Sequence, residues 1–151
     1  MAKVDKIDQN ILSELSKDSS ISIPKLAKKI NVNSSVVYSR IKRLLKNKLI
    51  ERFTIEINNK KLGYDVKSLT GINMDSKQRD NIIQELFKIP SVREVSEVTG
   101  RFDILVTMYA ENLNDMYGIV SDNIGKIDGI IGSESFIEMK TRTKQMPYML
   151  E

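Results

Sequence analysis

The stretch KLAKKINVNSSVVYSRIKRLLKNK, residues 25–48, decides the fold of the N-terminal part of this 151-residue chain. Its apolar side chains repeat at helical spacing on both sides of the short turn INVN. The repeating positions are Leu26, Ala27 and Ile30 before the turn, and Val37, Ile41, Leu44 and Leu45 after it. The pattern predicts two helices joined by a tight turn, of which the second, over residues 34–48, is longer and more basic.

A further helix is predicted before this pair. Asp5 can cap its N-terminus, and the turn residues KDSS at positions 17–20 end it. Its apolar stripe is formed by Ile7, Ile11, Leu12 and Leu15. Ser22 and Asn33 can cap the two later helices, while Asn31 tolerates the left-handed conformation that ends a helix. This order is that of a helix-turn-helix, in which the third helix recognises DNA.

The polar face of the third helix has the chemistry that DNA recognition needs. Hydroxyl and amide groups can bond base edges or phosphates, and lysine and arginine can neutralise phosphates near the positive end of a helix. The candidate DNA-binding residues are Asn33, Ser34, Ser35, Tyr38, Ser39, Arg40, Lys42 and Arg43. The next segment, LIERFTIEIN, alternates as a strand, as a wing would. A three-helix module that binds another protein has the same helical pattern and stays open as an alternative.

The charge of the chain is uneven. Residues 1–61 carry 14 Lys+Arg and 6 Asp+Glu, a net charge of +8, whereas residues 62–151 carry 10 and 14, a net charge of −4. Because a basic surface attracts phosphates, the two parts are expected to have different partners. We predict a DNA-binding domain over residues 1–52, a connecting strand and hinge over 53–67 and a second domain over 68–151.

The composition argues against most kinds of enzyme. The chain contains neither cysteine nor histidine, so thiolate chemistry and the commonest general base and metal ligand are both missing. Phosphate-cradling glycine loops, nucleophile motifs and metal-ligand clusters are not found in the sequence either. We therefore expect no catalytic residue, no metal and no cofactor. The sequence also lacks a membrane-length apolar run and a signal peptide, which predicts a cytoplasmic protein.

The C-terminal part predicts the order β-α-β-β-α-β. The predicted elements are the strand VKSLTGINM, the helix DSKQRDNIIQELFKI, the strands VREVSEV and DILVTMYA, the helix NLNDMYGIVSDNIGKI and the strand GIIGSESFIEMKTRT. The residues expected to face the core are Ile82, Ile83, Leu86 and Phe87 on the first helix, and Leu113, Met116, Tyr117, Val120 and Ile124 on the second. This order is that of a ferredoxin-like α+β fold, with both helices on one face of an antiparallel sheet.

The last predicted strand carries apolar groups on both of its sides. Ile137 and Met139 alternate with Phe136. Because the second face of a small sheet needs cover when it is apolar, this pattern predicts dimerisation through the sheets.

The turn TGRFD, residues 99–103, allows two interpretations. Gly100 permits a positive φ and close backbone approach, so that its N–H group and that of Arg101 can face an anion. Asp103 can face an ammonium group, and a free α-amino acid presents both charges. A plain hairpin, with Arg101 in solvent and Asp103 at the start of a strand, explains the same residues. Taken alone, the stretch favours the hairpin.

Three N-terminal stretches resemble the DNA-binding domain of the Lrp/AsnC, or feast/famine, family of transcription regulators. They are VDKIDQNILSEL, SSISIPKLAKKINVN and SSVVYSRIKRLLKNKLIERFTIEINNKKLG, which cover the first 63 residues in order. The family usually has arginine at position 20 and glycine at positions 31 and 48, where this chain has Ser20, Asn31 and Lys48. A left-handed Lys48 costs about 1 kcal/mol, and the turn can use Asn47 instead. The C-terminal half is similar to the ligand-sensing and oligomerising domain of the same family.

The resemblance implies that the hairpin forms part of an effector pocket between subunits of neighbouring dimers, which reverses the preference for a plain hairpin. By position, the implied ligand-binding residues are Gly100, Arg101, Phe102 and Asp103 on one wall, and Asp122, Ser133, Glu134 and Ser135 of a partner on the other. Arg101 departs from the acid that is commonest there. The implied effector is an L-amino acid, and the polar wall favours glutamine over leucine, as in an archaeal glutamine-responsive member of the family. The resemblance also implies homodimers that assemble into tetramers or octamers.

Three other functions compete with a DNA-binding regulator that responds to an amino acid. An architectural DNA-binding protein without an effector shares every N-terminal feature. A protein-binding regulator would use the three helices for another partner. Siroheme decarboxylase subunits resemble the same family, but that resemblance implies chemistry that depends on histidine, which this chain lacks.

Overall fold

The computed structural model describes residues 4–144, which divide into two compact units. The first unit comprises residues 4–56 together with 142–144, and the second comprises Ile57–Thr141. Each unit has its own hydrophobic core. The α+β fold predicted from the sequence, a helix-turn-helix followed by a ferredoxin-like domain, is confirmed.

The first unit is built from three helices. They are α1 (Lys6–Lys17), α2 (Ile23–Lys29) and α3 (Ser34–Lys46). Their shared core contains Ile11, Leu26, Ala27, Val37 and Leu44. These are positions of the predicted apolar stripes, so the helical spacing of the sequence is also the spacing of the core.

The ends of these helices show which local predictions hold. Asp5 caps α1, because its side chain accepts a hydrogen bond from the backbone N–H of Asp8 at 3.0 Å. Ser22 and Asn33 occupy the predicted cap positions, but their side chains make no capping hydrogen bond. Asn31 is left-handed as predicted, with φ of 56°. Lys48 is left-handed too, with φ of 54°, so the suggestion that the turn uses Asn47 instead is wrong.

The segment after α3 differs from the prediction. Residues 51–58, which include most of the alternating stretch LIERFTIEIN, form no strand in the described chain. A strand needs a neighbour to accept its hydrogen bonds, and the described chain supplies none here. The alternating apolar side chains Phe53, Ile55 and Ile57 are exposed.

The second unit is a four-stranded antiparallel sheet. Its strands are β1 (Val66–Met74), β2 (Val92–Glu97), β3 (Ile104–Ala110) and β4 (Ile130–Ile137), in the spatial order β2-β3-β1-β4. A 3₁₀ turn, Asn59–Leu62, precedes β1. The helices α4 (Arg79–Lys88) and α5 (Leu113–Gly118) pack on one face, and α5 continues into a π-helical segment, Ile119–Asn123, and a 3₁₀ turn, Ile124–Lys126.

The core of this unit lies between the helices and one face of the sheet. Alternate residues of β1 and β3 point into it, among them Ile72, Ile104, Val106 and Met108. We call the opposite face the open face, which includes Leu69 and Gly71 of β1, Leu105 of β3, and Glu134 and Phe136 of β4.

Three of the residues expected in the core are exposed instead. Phe87, Leu113 and Tyr117 have exposed fractions of 59%, 61% and 75%. Met116, Ile119 and Ile124 fill the core from the second helical stretch. The π-helical segment follows α5 and changes the angular spacing only of later residues, so it does not account for the exposure of Leu113 and Tyr117.

Candidate functional site

The predicted recognition helix presents a polar face to solvent. Ser34, Ser35, Tyr38, Ser39 and Lys42 are all exposed, whereas Val37 and Leu44 on the other side are buried. Asn33 is exposed at the N-cap. Six of the eight predicted DNA-binding residues therefore belong to one accessible surface, which we call the α3 face: Asn33, Ser34, Ser35, Tyr38, Ser39 and Lys42.

Two side chains within the α3 face contact each other. The Lys42 ammonium group lies 4.6 Å from the centre of the Tyr38 ring, a cation–π contact. The Tyr38 side chain is half exposed, at 50%. A ring and a cation stacked in this way form a flat, positively charged surface, which suits contact with a sugar-phosphate backbone.

The remaining two predicted DNA-binding residues are paired with carboxylates of the same unit. Arg40 forms ion pairs with Asp5 and Asp8, and Arg43 forms an ion pair with Asp8. The hydrogen bond that Arg40 donates to the Asp5 carboxylate raises the pKa of the Arg40 guanidinium. The backbone N–H of Asp8, and then Arg40, lower the pKa of the Asp5 carboxyl. Both arginines therefore have carboxylate partners on α1, unlike Lys42.

The predicted effector hairpin folds onto the open face. Gly100 has φ of 145°, a conformation that L side chains rarely adopt. The Arg101 guanidinium lies 2.7 Å from the Glu134 carboxylate on β4 and stacks over the Phe102 ring. The Phe102 ring covers Gly71, where an added Cβ would lie only 2.4 Å from it. Glycine at position 71 is what allows the ring to reach the sheet.

Asp103 binds the same hairpin to the C-terminal end of β1 through hydrogen bonds. One of its carboxylate oxygens accepts a hydrogen bond from the Met74 backbone N–H at 3.0 Å, and its own N–H donates to the Ile72 carbonyl oxygen. Its carbonyl oxygen accepts from the Val98 N–H. The other carboxylate oxygen has no partner among the hydrogen bonds of the described residues, so the side chain keeps acceptor capacity.

The other predicted ligand residues divide between the two faces of the sheet. Glu134 lies on the open face with the hairpin, whereas Ser133 and Ser135 point to the helix side. The hydroxyl groups of Ser135 and Thr70 are hydrogen-bonded at 2.8 Å. Asp122 is exposed on the π-helical segment and pairs with Lys126 at 3.4 Å. A single chain therefore brings Gly100, Arg101, Phe102, Asp103 and Glu134 together but does not add the other three.

A groove in the first unit lies apart from both candidate sites. Its volume is about 1080 Å³, and it runs between α1 and residues 49–56. Leu12, Leu15, Phe53 and Ile55 line it. None of the residues predicted to bind DNA or an effector contributes to its lining.

Within residues 4–144, the structure offers no cluster of carboxylates that could hold a metal ion. Over the same residues, no helix has the length and apolar character that crossing a membrane requires.

Comparisons with known proteins place the chain in a family. Residues 4–51 match the model described as winged helix-turn-helix DNA-binding, and residues 68–148 match that of the Lrp/AsnC ligand binding domain. The HTH-type transcriptional regulator LrpA of Pyrococcus horikoshii is 35% identical over 127 residues, which are 84% of this chain and 90% of that protein.

Solved structures share the fold. That of AsnC from E. coli superposes with a TM-score of 0.88 at 23% identity, covering 97% of this chain and 99% of the other. A transcriptional regulator from Neisseria meningitidis in complex with L-Met superposes with a TM-score of 0.90 at 17% identity, covering 96% of each chain.

The two matched domains define a DNA-binding transcription regulator with a ligand-binding domain. The chain belongs to the Lrp/AsnC family. The expectation that it is not an enzyme is confirmed by its relatives, which are transcriptional regulators.

One residue that matters to the first unit was missed in the sequence. Asp8 is fully buried and holds both arginines of α3. A signal was present, because Asp5 at the N-cap of α1 and Asp8 in its first turn are three residues apart, and Arg40 and Arg43 have the same spacing on α3. Charges of opposite sign at matched helical spacing can pair across two packed helices.

Proposed function

We propose that the protein is a homodimeric, sequence-specific transcription regulator whose DNA binding responds to a small L-amino acid bound between subunits, with glutamine as the first candidate. The observation that carries the proposal is the division of the candidate effector residues between two faces of the sheet. If all of these residues line one pocket, the hairpin wall and the second wall belong to different subunits.

The α3 face is the proposed DNA contact. Its exposed hydroxyls, Tyr38 and Lys42 offer hydrogen bonds and positive charge, and the unit that carries them is strongly basic. Two copies of α3 in a dimer would read half-sites about 34 Å apart, one turn of DNA, or a multiple of that distance.

The open face is the proposed dimer interface. Leu69 and Phe136 are 41% and 47% exposed, and they are paired neighbours on β1 and β4. Phe102 packs edge-to-face on Phe136, with ring centres 6.4 Å apart, and enlarges the apolar surface. Covering this surface with a second copy would remove it from water. Assembly of dimers into tetramers or octamers is the family's usual next step and part of the proposal.

The charges near the hairpin suit an amino acid. Backbone N–H groups at Gly100 and Arg101 would face its carboxylate, and Asp103 its ammonium group. The side chain would meet the hydroxyls of Ser133 and Ser135 and the carboxylate of Asp122 from another subunit, which favours a polar amide over an aliphatic group. A structural neighbour has been solved as an L-Met complex, which shows that this fold can hold a free amino acid.

A thermal-shift screen against the twenty amino acids, each at millimolar concentration, tests the effector. A ligand that binds only the folded state raises the melting temperature once its concentration exceeds its dissociation constant. A rise with glutamine or another polar amino acid supports the proposal and identifies the signal. A flat response to all twenty contradicts it.

One observation favours a second function, an architectural DNA-binding protein without an effector. Arg101 is already paired with Glu134, and Asp103 is already bonded to Met74. If these contacts are the hairpin's only role, DNA binding persists and no amino acid alters it. Measuring DNA affinity with and without each amino acid separates the two functions, because only a difference in affinity between states transmits a signal.

A further inference from the structure

Asp8 stands apart from the other charged residues of the described chain. It lies in the first turn of α1, and its exposed fraction is 0%. The buried polar or charged residues described alongside it, Ser68 and Thr70, are neutral. A buried carboxylate is costly unless charged partners and hydrogen bonds compensate it.

Its partners come mostly from the recognition helix. One Asp8 oxygen accepts from the Asp5 backbone N–H at 3.1 Å and forms an ion pair with Arg43. The other lies 3.3 Å from the Arg40 guanidinium, which also pairs with the Asp5 carboxylate. Two carboxylates of α1 therefore hold two guanidinium groups of α3.

The arrangement separates the cations of α3 into two groups. Arg40 and Arg43 point towards α1 and are matched by negative charge. Lys42 points away from them and stacks on Tyr38, with no acidic partner among the described ion pairs. Arginine can bind phosphates bidentately, and phosphate contacts carry no sequence information, so an unpaired arginine on α3 would strengthen binding to DNA of any sequence.

We propose that Asp8 is a positioning residue for DNA recognition. It fixes α3 on α1 and keeps Arg40 and Arg43 off the DNA, so that the α3 face alone meets the duplex. The inference rests on the proposed use of α3 as the DNA-reading helix. It assigns Arg40 and Arg43, which the sequence predicts as DNA contacts, to ion pairs with carboxylates of the same unit.

The variant Asp8→Asn tests the proposal. The amide keeps an oxygen for the Asp5 N–H but loses the charge that holds the arginines. DNA that the wild-type protein selects from a random pool serves as the specific site, and a scrambled duplex of equal length as the non-specific one. Each is titrated between 50 and 200 mM salt, roughly the range in which phosphate contacts dominate affinity.

The released arginines are expected to steepen the salt dependence on scrambled DNA by about one unit of slope. The preference for the selected site over scrambled DNA is expected to fall about tenfold or more. Asp18→Asn is the matched control, because it removes one carboxylate from the same unit at an exposed position. A folded Asp8→Asn protein with the slope and preference of Asp18→Asn would overturn the proposal.

A second comparison decides the matter even if Asp8→Asn does not fold. Arg43 is 43% exposed, so Arg43→Gln leaves the buried core untouched. Arg43→Gln is expected to leave the salt slope at its wild-type value, whereas Lys42→Gln lowers it by about 0.9. An equal decrease in both variants would place Arg43 on a phosphate and overturn the inference. A wild-type protein that binds no DNA would instead contradict the proposed function.

Discussion

The α3 face and the TGRFD hairpin differ in how much of each candidate site a single chain contains. Six residues of the α3 face share one accessible surface of one helix. Of the four residues predicted for the other wall, Glu134 lies beside the hairpin, while Asp122, Ser133 and Ser135 lie on the helix side of the sheet. A site on one helix can be predicted from spacing, whereas a site shared between subunits depends on assembly.

The variant Phe136→Asp should have the largest effect, because it is expected to prevent dimerisation. It also tests which of the two candidate sites depends on assembly. A charge on the open face is expected to give a folded monomer and to weaken binding to a two-half-site DNA by about 100-fold or more, since the two heads no longer bind together. Light scattering measures the molecular mass, and a gel-shift assay measures the DNA affinity. Phe87→Asp, which makes the same substitution at a phenylalanine 59% exposed on α4, on the other side of the sheet, is the control. A Phe136→Asp dimer of wild-type affinity would exclude the open face as the interface.

The variant Asp103→Asn tests the hairpin without breaking it. The amide oxygen can still accept from the Met74 N–H, but the negative charge proposed to face the ligand's ammonium group is lost. The amino-acid-dependent rise in melting temperature is expected to disappear, with DNA affinity unchanged in the absence of effector. Asp128→Asn, at an exposed carboxylate of the same unit, should respond as wild type. A full response in Asp103→Asn would leave Asp103 a purely structural residue.

Lys42→Gln tests the α3 face alone. Loss of one phosphate contact is expected to weaken binding to every DNA sequence several-fold and to reduce the salt slope by about 0.9. Fluorescence anisotropy at four salt concentrations measures both. Lys46→Gln removes a charge from the last turn of the same helix and should change the slope less. Equal changes in the two variants would indicate general attraction rather than a contact at Lys42.

The smallest expected effect concerns stability. Lys48 is left-handed, with φ of 54°, so Lys48→Gly is expected to raise the free energy of unfolding of the first unit by about 1 kcal/mol. Lys46→Gly, two residues earlier within α3, should lower it by about 1 kcal/mol. Urea unfolding followed by circular dichroism measures both. A loss of stability in Lys48→Gly would mean that the lysine side chain offsets the backbone strain.

Local physics explains which elements were predictable. Asp5 caps α1 and Asn31 ends α2, because both depend on a few adjacent residues. The four strands of the second unit follow their apolar runs, and their antiparallel order follows from the connections. The stretch after α3 has the alternation of a strand but no neighbour to pair with in the described chain. Alternating apolar residues indicate a preference for a strand, but a strand forms only where a neighbouring segment pairs with it through hydrogen bonds.

The candidate sites divide in the same way. The polar positions of α3 follow from helical spacing. Gly100 and Asp103 belong to the turn TGRFD, which the glycine between two apolar runs indicates. The partners of Arg40 and Arg43 were not predictable from their own helix, since Asp5 and Asp8 lie more than 30 residues away. The same holds for Arg101 and Glu134.

The sequence by itself determined the class of fold, the family and the polar face of α3, because apolar spacing and charge distribution are written along the chain. The tertiary structure decided which cations of α3 are paired with carboxylates. Packing of α1 on α3 buries Asp8 against two arginines, and pairing of β1 with β4 places Glu134 beside Arg101 and separates it from Ser133 and Ser135. These outcomes depend on contacts between segments that are distant in the sequence. A carboxylate that such a contact buries is costly unless the fold places a positive charge beside it.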